Sequence, residues 1–168
     1  MQLSLHYDYR DHNIQSTDKH GIVANEFVLS YKKTPHLDPF RNERLNNSWR
    51  ISGFLRKIWD SNRLNFQESF YVIFFRNMKL AGYMKLADGS ADCVMVDVRF
   101  LFSSALLSGA TQIILAHNHP SETNRPSDAD IKLTNKVVEA GKLLEVQVLD
   151  HIILCGEEYY SFRDNGLL

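Results

Sequence analysis

The chain reads as an α/β protein, a layered mixed β-sheet flanked by helices on both sides. Three observations predict that class. Two continuous apolar runs, Phe70-Tyr71-Val72-Ile73-Phe74-Phe75 and Ile113-Ile114-Leu115-Ala116, have the composition of strands covered on both faces. Apolar residues at Ile51, Phe54, Leu55, Ile58 and Trp59 recur at helical spacing, and a second helical pattern runs from Ser127 to Leu144. The helical stretches fall between groups of strands, the order expected when helices pack on a sheet.

Taken in order, residues 1–20 are polar and irregular and are expected to be loosely held, with His6, His12 and His20 too scattered to form a site. Ile22 to Tyr31 carries Val23, Phe27, Val28 and Leu29 and predicts a strand; Pro35 and Pro39 bracket a loop. After Asn46-Asn47-Ser48 comes the first amphipathic helix. Its opposite side holds Arg50, Arg56 and Lys57, either a solvated face or a phosphate contact.

The run Phe70–Phe75 is the first core strand. Arg76-Asn77-Met78-Lys79 supplies a turn, and Leu80 to Leu86 pairs back. Asp88-Gly89 is another turn, and Cys93 to Val96 reads as a third strand ending at Asp97, a good helix N-cap. Arg99 to Leu107 is a short apolar helix closed by Gly109. Thr111 to Ala116 is a strand. The helix from Ser127 to Leu144 is expected to bury Ile131, Leu133, Val137, Val138 and Leu144, and Val146–Leu154 and Tyr159–Phe162 finish as strands.

The chemistry lies at His117-Asn118-His119-Pro120. Residues i and i+2 of a strand share a face, so His117 and His119 present two imidazoles together, and Pro120 ends the strand by removing a donor. Asp130, in the first turn of the next helix, is near enough to return a carboxylate. Two neutral imidazoles and a carboxylate make a three-ligand set for zinc that leaves one position for water, the pattern of a catalytic site. The plainer readings are that each histidine is a satisfied core residue and that Ser127-Asp128-Ala129-Asp130 is a capping box, which needs no metal. The coincidence of both features in one stretch favours the metal.

Composition bounds the alternatives. With 168 residues, 44% apolar and 23% charged, the chain describes an ordinary globular protein. No apolar run approaches the ~20 residues that span a membrane, and the start lacks a secretory pattern. Cys93 and Cys155 have no metal-site spacing and read as reduced core thiols of a cytoplasmic protein. A net charge of −1 gives no broad electrostatic footprint for nucleic acid, although a local patch stays open. The zinc-deaminase pattern, H-E-x-x-H and glycine-rich phosphate loops are all absent.

His117-Asn118-His119-Pro120, then Ser127, then Asp130 (H-x-H-P-x6-S-x-x-D) resembles the signature of the JAMM/MPN metalloprotease superfamily. With Leu149-Asp150-His151-Ile152-Ile153 and Tyr159-Tyr160-Ser161-Phe162 downstream, the chain is similar to the RadC-like branch. The resemblance covers roughly Asn65 to Leu168. It implies a JAMM/MPN domain, of cytidine-deaminase-like architecture, over residues 65–168. Residues 1–64 are then an N-terminal extension of strand and helix, in place of the helix-hairpin-helix module of longer relatives. The resemblance further implies that His117, His119 and Asp130 ligate zinc, that Ser127 hydrogen-bonds the reacting oxygen, and that Glu68, just before the first core strand, is the catalytic carboxylate. RadC-like sequences usually follow His-Pro-Ser with Gly, where this chain has Glu122.

Zinc lowers the pKa of a bound water from ~15.7 towards ~7, and amide hydrolysis also needs a base to move the proton to the leaving nitrogen. Glu68 is expected to be that base; otherwise it only marks the solvated start of a strand. Ser127 either caps its helix or serves the oxyanion, and one hydroxyl can do both. His151 is expected near the site, orienting a ligand rather than binding metal itself. Glu122 could approach the water from its loop or be solvated. These readings predict a zinc-dependent hydrolase of peptide or isopeptide bonds with a protein or peptide substrate. The alternative is an accessory module of DNA repair or mobile elements, with a structural or vestigial metal. A metal-dependent nuclease fits less well, because only one metal site is visible.

Overall fold

Strand Ser69–Arg76 (β3) lies at the middle of the molecule, and every residue in it but the last is buried. The computed structural model describes residues 45–168, together with the backbone of Gln2–Leu5 (β1) and Leu29–Lys32 (β2). The remaining strands are Lys79–Asp88 (β4), Gln112–Asn118 (β5), Gln147–Cys155 (β6) and Glu158–Ser161 (β7). The helices are Ser48–Ile58 (α1), Val98–Leu107 (α2) and Asp128–Leu143 (α3). One seven-stranded mixed sheet runs in the order β2-β1-β4-β3-β5-β6-β7. β3 is antiparallel to both β4 and β5, and α3 carries the chain from β5 across to β6, its parallel neighbour.

Side chains on β3 alternate between two cores. Tyr71, Ile73 and Phe75 join Ile51, Phe54, Leu55 and Trp59 of α1 on one face. Phe70, Val72 and Phe74 meet Leu101, Phe102 and Ala105 of α2 and Val137 of α3 on the other. The continuous apolar run is therefore what a strand covered on both sides requires. Burying one such Ile or Phe contributes about 1.5–3 kcal/mol relative to leaving it in water. The layered α/β class is the one expected, with helices on both faces.

Local signals explain the ends. Asn47 caps α1 by accepting from the Arg50 N–H at 2.9 Å, and Asp97 does the same for Arg99 in α2. Gly109 follows α2 at φ +65, the left-handed residue that closes a helix. The β3–β4 hairpin turns on Asn77 and Met78 alone, both at positive φ, as a two-residue turn demands.

Three expectations need correction, and a fourth is described only in part. Gln2–Leu5, read as irregular, is a strand paired with β2 and, at Tyr83, with β4; a four-residue strand depends on distant partners that local sequence does not reveal. Of the strand expected over Ile22–Tyr31, the described part is Leu29–Lys32; the rest, with His6, His12, His20, Pro35 and Pro39, lies outside the described residues. Cys93 to Val96 has no regular secondary structure and joins no sheet, since β4 already pairs with β3 and β1. Leu144 is the exposed C-cap of α3, whose buried positions are Thr134, Val137 and Gly141. Among the described residues no helix is long and apolar enough to cross a membrane.

Candidate metal centre

β5 sends Ile113, Leu115 and His117 to the face that α2 and α3 cover, so the period of two aims His117 at α3. The assigned strand ends at Asn118, but His119 still donates its N–H to the Leu154 carbonyl at 2.9 Å and stays in line with β6. Asp130 comes from the first turn of α3. His117 Nε2 lies 3.0 Å from His119 Nε2 and 3.2 Å from Asp130 Oδ1, and His119 Nε2 lies 3.5 Å from Asp130 Oδ2. One ligand atom from each of the three residues falls within a 4.8 Å group.

The capping box and the metal reading are compatible. Asp130 Oδ2 accepts from the Ser127 N–H at 2.7 Å and from the Ser127 hydroxyl at 2.6 Å, while Ser127 Oγ accepts from the Asp130 N–H at 3.2 Å. That grip holds the carboxylate with Oδ1 towards His117 and Oδ2 towards His119. His119 is held from its far side: Nδ1 lies 2.8 Å from the Thr123 carbonyl, which can only accept, so Nδ1 carries the proton and Nε2 is the ligating atom. The donor set therefore fits a zinc ion by chemistry and spacing.

Charge in the cluster is strongly coupled. Burial pushes His117 down more than its contacts with Asp130 restore. Burial also works against protonating His119, but bonds to Asp130 and Thr123 outweigh it and its pKa is raised. For Asp130, burial is overcome by hydrogen bonds from His117, His119 and Ser127, which hold the carboxyl far below the usual range. Asp130 therefore stays ionised between the two imidazoles, a carboxylate charge that a divalent cation can take up.

Glu68 sits immediately before β3, 6% exposed, and lines a pocket of about 320 Å³ together with His119, Asp130 and Ser127. Burial pushes its carboxyl up to about 7, against a lowering by His119 and with a further rise from Asp130 and Asp92. A carboxyl near neutrality is poised both to take and to give a proton. Ala91, Asp92, Cys93 and Val94 line the same pocket, and the residues before them are tied to Glu68, whose N–H donates to the Ser90 carbonyl at 2.8 Å while Gly89 N–H returns to the Glu68 carbonyl at 2.8 Å. A Cβ on Gly89 would collide with the backbone of Cys93 and Val94, so glycine is what lets this wall fold back.

Two residues escaped a role in the sequence reading. Asn118 is fully buried, accepts from Ser69 N–H at 2.8 Å, and donates to the carbonyls of Leu64 (2.6 Å) and Gln67 (2.9 Å). It fixes the backbone on both sides of Glu68; its alternation off the histidine face was the available signal. Thr134 lies one turn along α3 from Asp130, against His151, and nothing in local sequence marks it. His151 is fully buried next to His117 and outside the ligand group.

Other expectations resolve differently. Glu122 does not line the pocket; its carboxyl lies against Gly156, and its φ of +58 is the conformation that glycine adopts freely. Cys93 is an exposed thiol on the pocket wall rather than a core residue, whereas Cys155 is buried. Arg56, on the basic side of α1, donates to the carbonyls of Gly156 (2.6 Å) and Glu158 (2.8 Å).

Comparison with known proteins agrees with this geometry. Residues 46–167 match the model of the RadC-like JAB domain. A UPF0758 protein of Flavobacterium johnsoniae is 44% identical over 101 residues, covering 60% of this chain and 44% of that protein. A UPF0758 protein of Chlorobium chlorochromatii is 42% identical over 80 residues, 48% of this chain and 36% of its own length. The match to one from Pasteurella multocida is 38% identical, spanning 100% of this chain and 81% of that protein. The chain thus spans less than half the length of the first two relatives. The matched stretch contains the whole His117, His119 and Asp130 cluster, and the chain belongs to the RadC-like JAB domain family.

Proposed function

We propose that the chain is a zinc-dependent hydrolase that cleaves a peptide or isopeptide bond in a protein or peptide substrate. One observation carries this reading: His117, His119 and Asp130 converge beside a pocket that Glu68 also lines, with the Glu68 carboxyl raised to about 7. A purely structural zinc site takes four protein ligands and has no use for a base.

His117, His119 and Asp130 would hold the ion, which when bound supplies Lewis acidity to a water molecule and a carbonyl oxygen. Glu68 takes the proton of the attacking water and delivers it to the leaving nitrogen. The Ser127 hydroxyl, donated to Asp130 Oδ2, turns to the oxygen that gains negative charge, while Ser127 N–H keeps hold of Asp130. The proposed setting is the cytoplasm. The accessory reading in DNA repair has less support, because Arg56 spends its guanidinium on carbonyls within the fold.

The test is to incubate the zinc-loaded chain with libraries of linear peptides and of isopeptide-linked lysine peptides, reading products by mass spectrometry. Cleavage by wild type and not by Glu68→Gln supports the proposal. Equal cleavage by both would refute the role of Glu68, and retarded duplex DNA with no cleavage would favour the accessory reading.

A further inference from the structure

The fold also decides which nitrogen of His117 is available. His117 Nδ1 lies 2.8 Å from His151 Nε2, His151 Nδ1 lies 2.7 Å from Thr134 Oγ1, and the Thr134 hydroxyl donates to the Asp130 carbonyl at 2.6 Å. A carbonyl cannot donate and a hydroxyl has one hydrogen. With that hydrogen committed to Asp130, Thr134 can only accept from His151, so His151 Nδ1 bears its proton. His151 is fully buried, and among the described residues no carboxylate bonds to either of its ring nitrogens; a charged ring there would stay unpaired. It is therefore neutral, with Nε2 bare, and accepts from His117 Nδ1–H. That leaves Nε2, the atom that faces His119 and Asp130, as the nitrogen of His117 open to a metal ion.

The ring planes are held as well. Phe162 stacks on His151 at 4.7 Å with 20° between planes, and Phe70 lies parallel to His117 at 6.0 Å and 7°. The relay begins at the backbone carbonyl of Asp130 itself, so the same turn of α3 that supplies the carboxylate also fixes the imidazole opposite it.

We propose that Thr134 and His151 are positioning residues that lock His117 as its Nδ1–H tautomer and so present Nε2 to the metal. This rests on reading His117, His119 and Asp130 as a metal site. A donated Nδ1–H also raises the basicity of a ligating imidazole, and loss of such a partner typically costs about 10–100-fold in metal affinity.

The test uses the full chain in two measurements. In the metal-free wild type, long-range proton–nitrogen NMR of the histidine rings should show His117 with Nδ1 protonated, and His151 with Nδ1 protonated and Nε2 bare. Zinc affinity, from competition with a chelating indicator, should fall about 10–100-fold in Thr134→Val and stay near wild type in Thr134→Ser, which keeps the hydroxyl. His117 in Thr134→Val should show both tautomers. A wild-type His117 with Nδ1 bare overturns the proposal, whatever the variants do. So does a folded Thr134→Val that binds zinc as tightly as wild type. If wild type itself binds no zinc, the metal reading fails, while the NMR tautomers still judge the relay by themselves.

Discussion

Asn118 clasps the chain on either side of Glu68, accepting from the Ser69 N–H at 2.8 Å and donating to the Gln67 carbonyl at 2.9 Å. Neighbouring residues of the same strand end thus divide the work: His117 and His119 face the ligand cluster, and Asn118, on the other side, anchors the segment that carries the base. Asn118→Ala should leave one buried N–H and two carbonyls unpaired, at about 1–3 kcal/mol each. The expected result is a lower melting temperature and slower hydrolysis with zinc content kept. An Asn118→Ala protein as stable and as active as wild type would show that the clasp does not matter.

The raised Glu68 carboxyl makes a pH prediction. Its folded pKa, about 7, lies above the ordinary 4.5, so the folded state holds the proton more tightly than the unfolded chain. Below about 4.5 both states are protonated and nothing is lost; as pH rises through about 7, burying the charge costs stability. Metal-free Glu68→Gln should therefore melt above wild type at pH 8 and close to it at pH 4. Calorimetry at the two values checks this, and a difference that does not change with pH would contradict it.

Among the residues at positive φ where glycine is cheaper are Met78, at +62 in the hairpin, and Glu122, at +58 after Ser121. Replacing either by Gly should stabilise by about 1 kcal/mol, since the left-handed region penalises a Cβ. For a chain of this size that is a rise of about 2–4 °C in melting temperature. A fall on Glu122→Gly would mean that its contact with Gly156 outweighs the backbone strain.

The two cysteines should react differently. Cys93 is exposed on the pocket wall, whereas Cys155 is buried and its thiol is pushed up to about 11, chiefly by burial. Iodoacetamide on the folded chain should give one adduct, at Cys93, and obstruct hydrolysis. Intact-mass and peptide mapping would show this; labelling at Cys155 first would contradict the assignment.

How far the sequence reached depends on the range of the forces involved. Strands β3 to β7, helices α1 and α3, the caps at Asp97 and Ser127 and the grouping of His117, His119 and Asp130 follow from periods and spacings within a few residues of one another. Cys93–Val96 has the composition of a strand, but neighbours already occupied the sheet edge, a tertiary fact no local pattern holds. The relay through Thr134 and His151 joins three elements, and Thr134 looks like any helical threonine. Exposure of Cys93 depends on a loop folded back at Gly89.

The central claim is that two imidazoles and one carboxylate hold zinc while Glu68 stands apart from the ion. Elemental analysis of the purified chain and three variants tests it most directly. The account predicts about one zinc per chain in wild type and in Glu68→Gln, and loss of zinc in His119→Ala and Asp130→Ala. Zinc absent from folded wild type after zinc loading, or retained in full by His119→Ala, would contradict it.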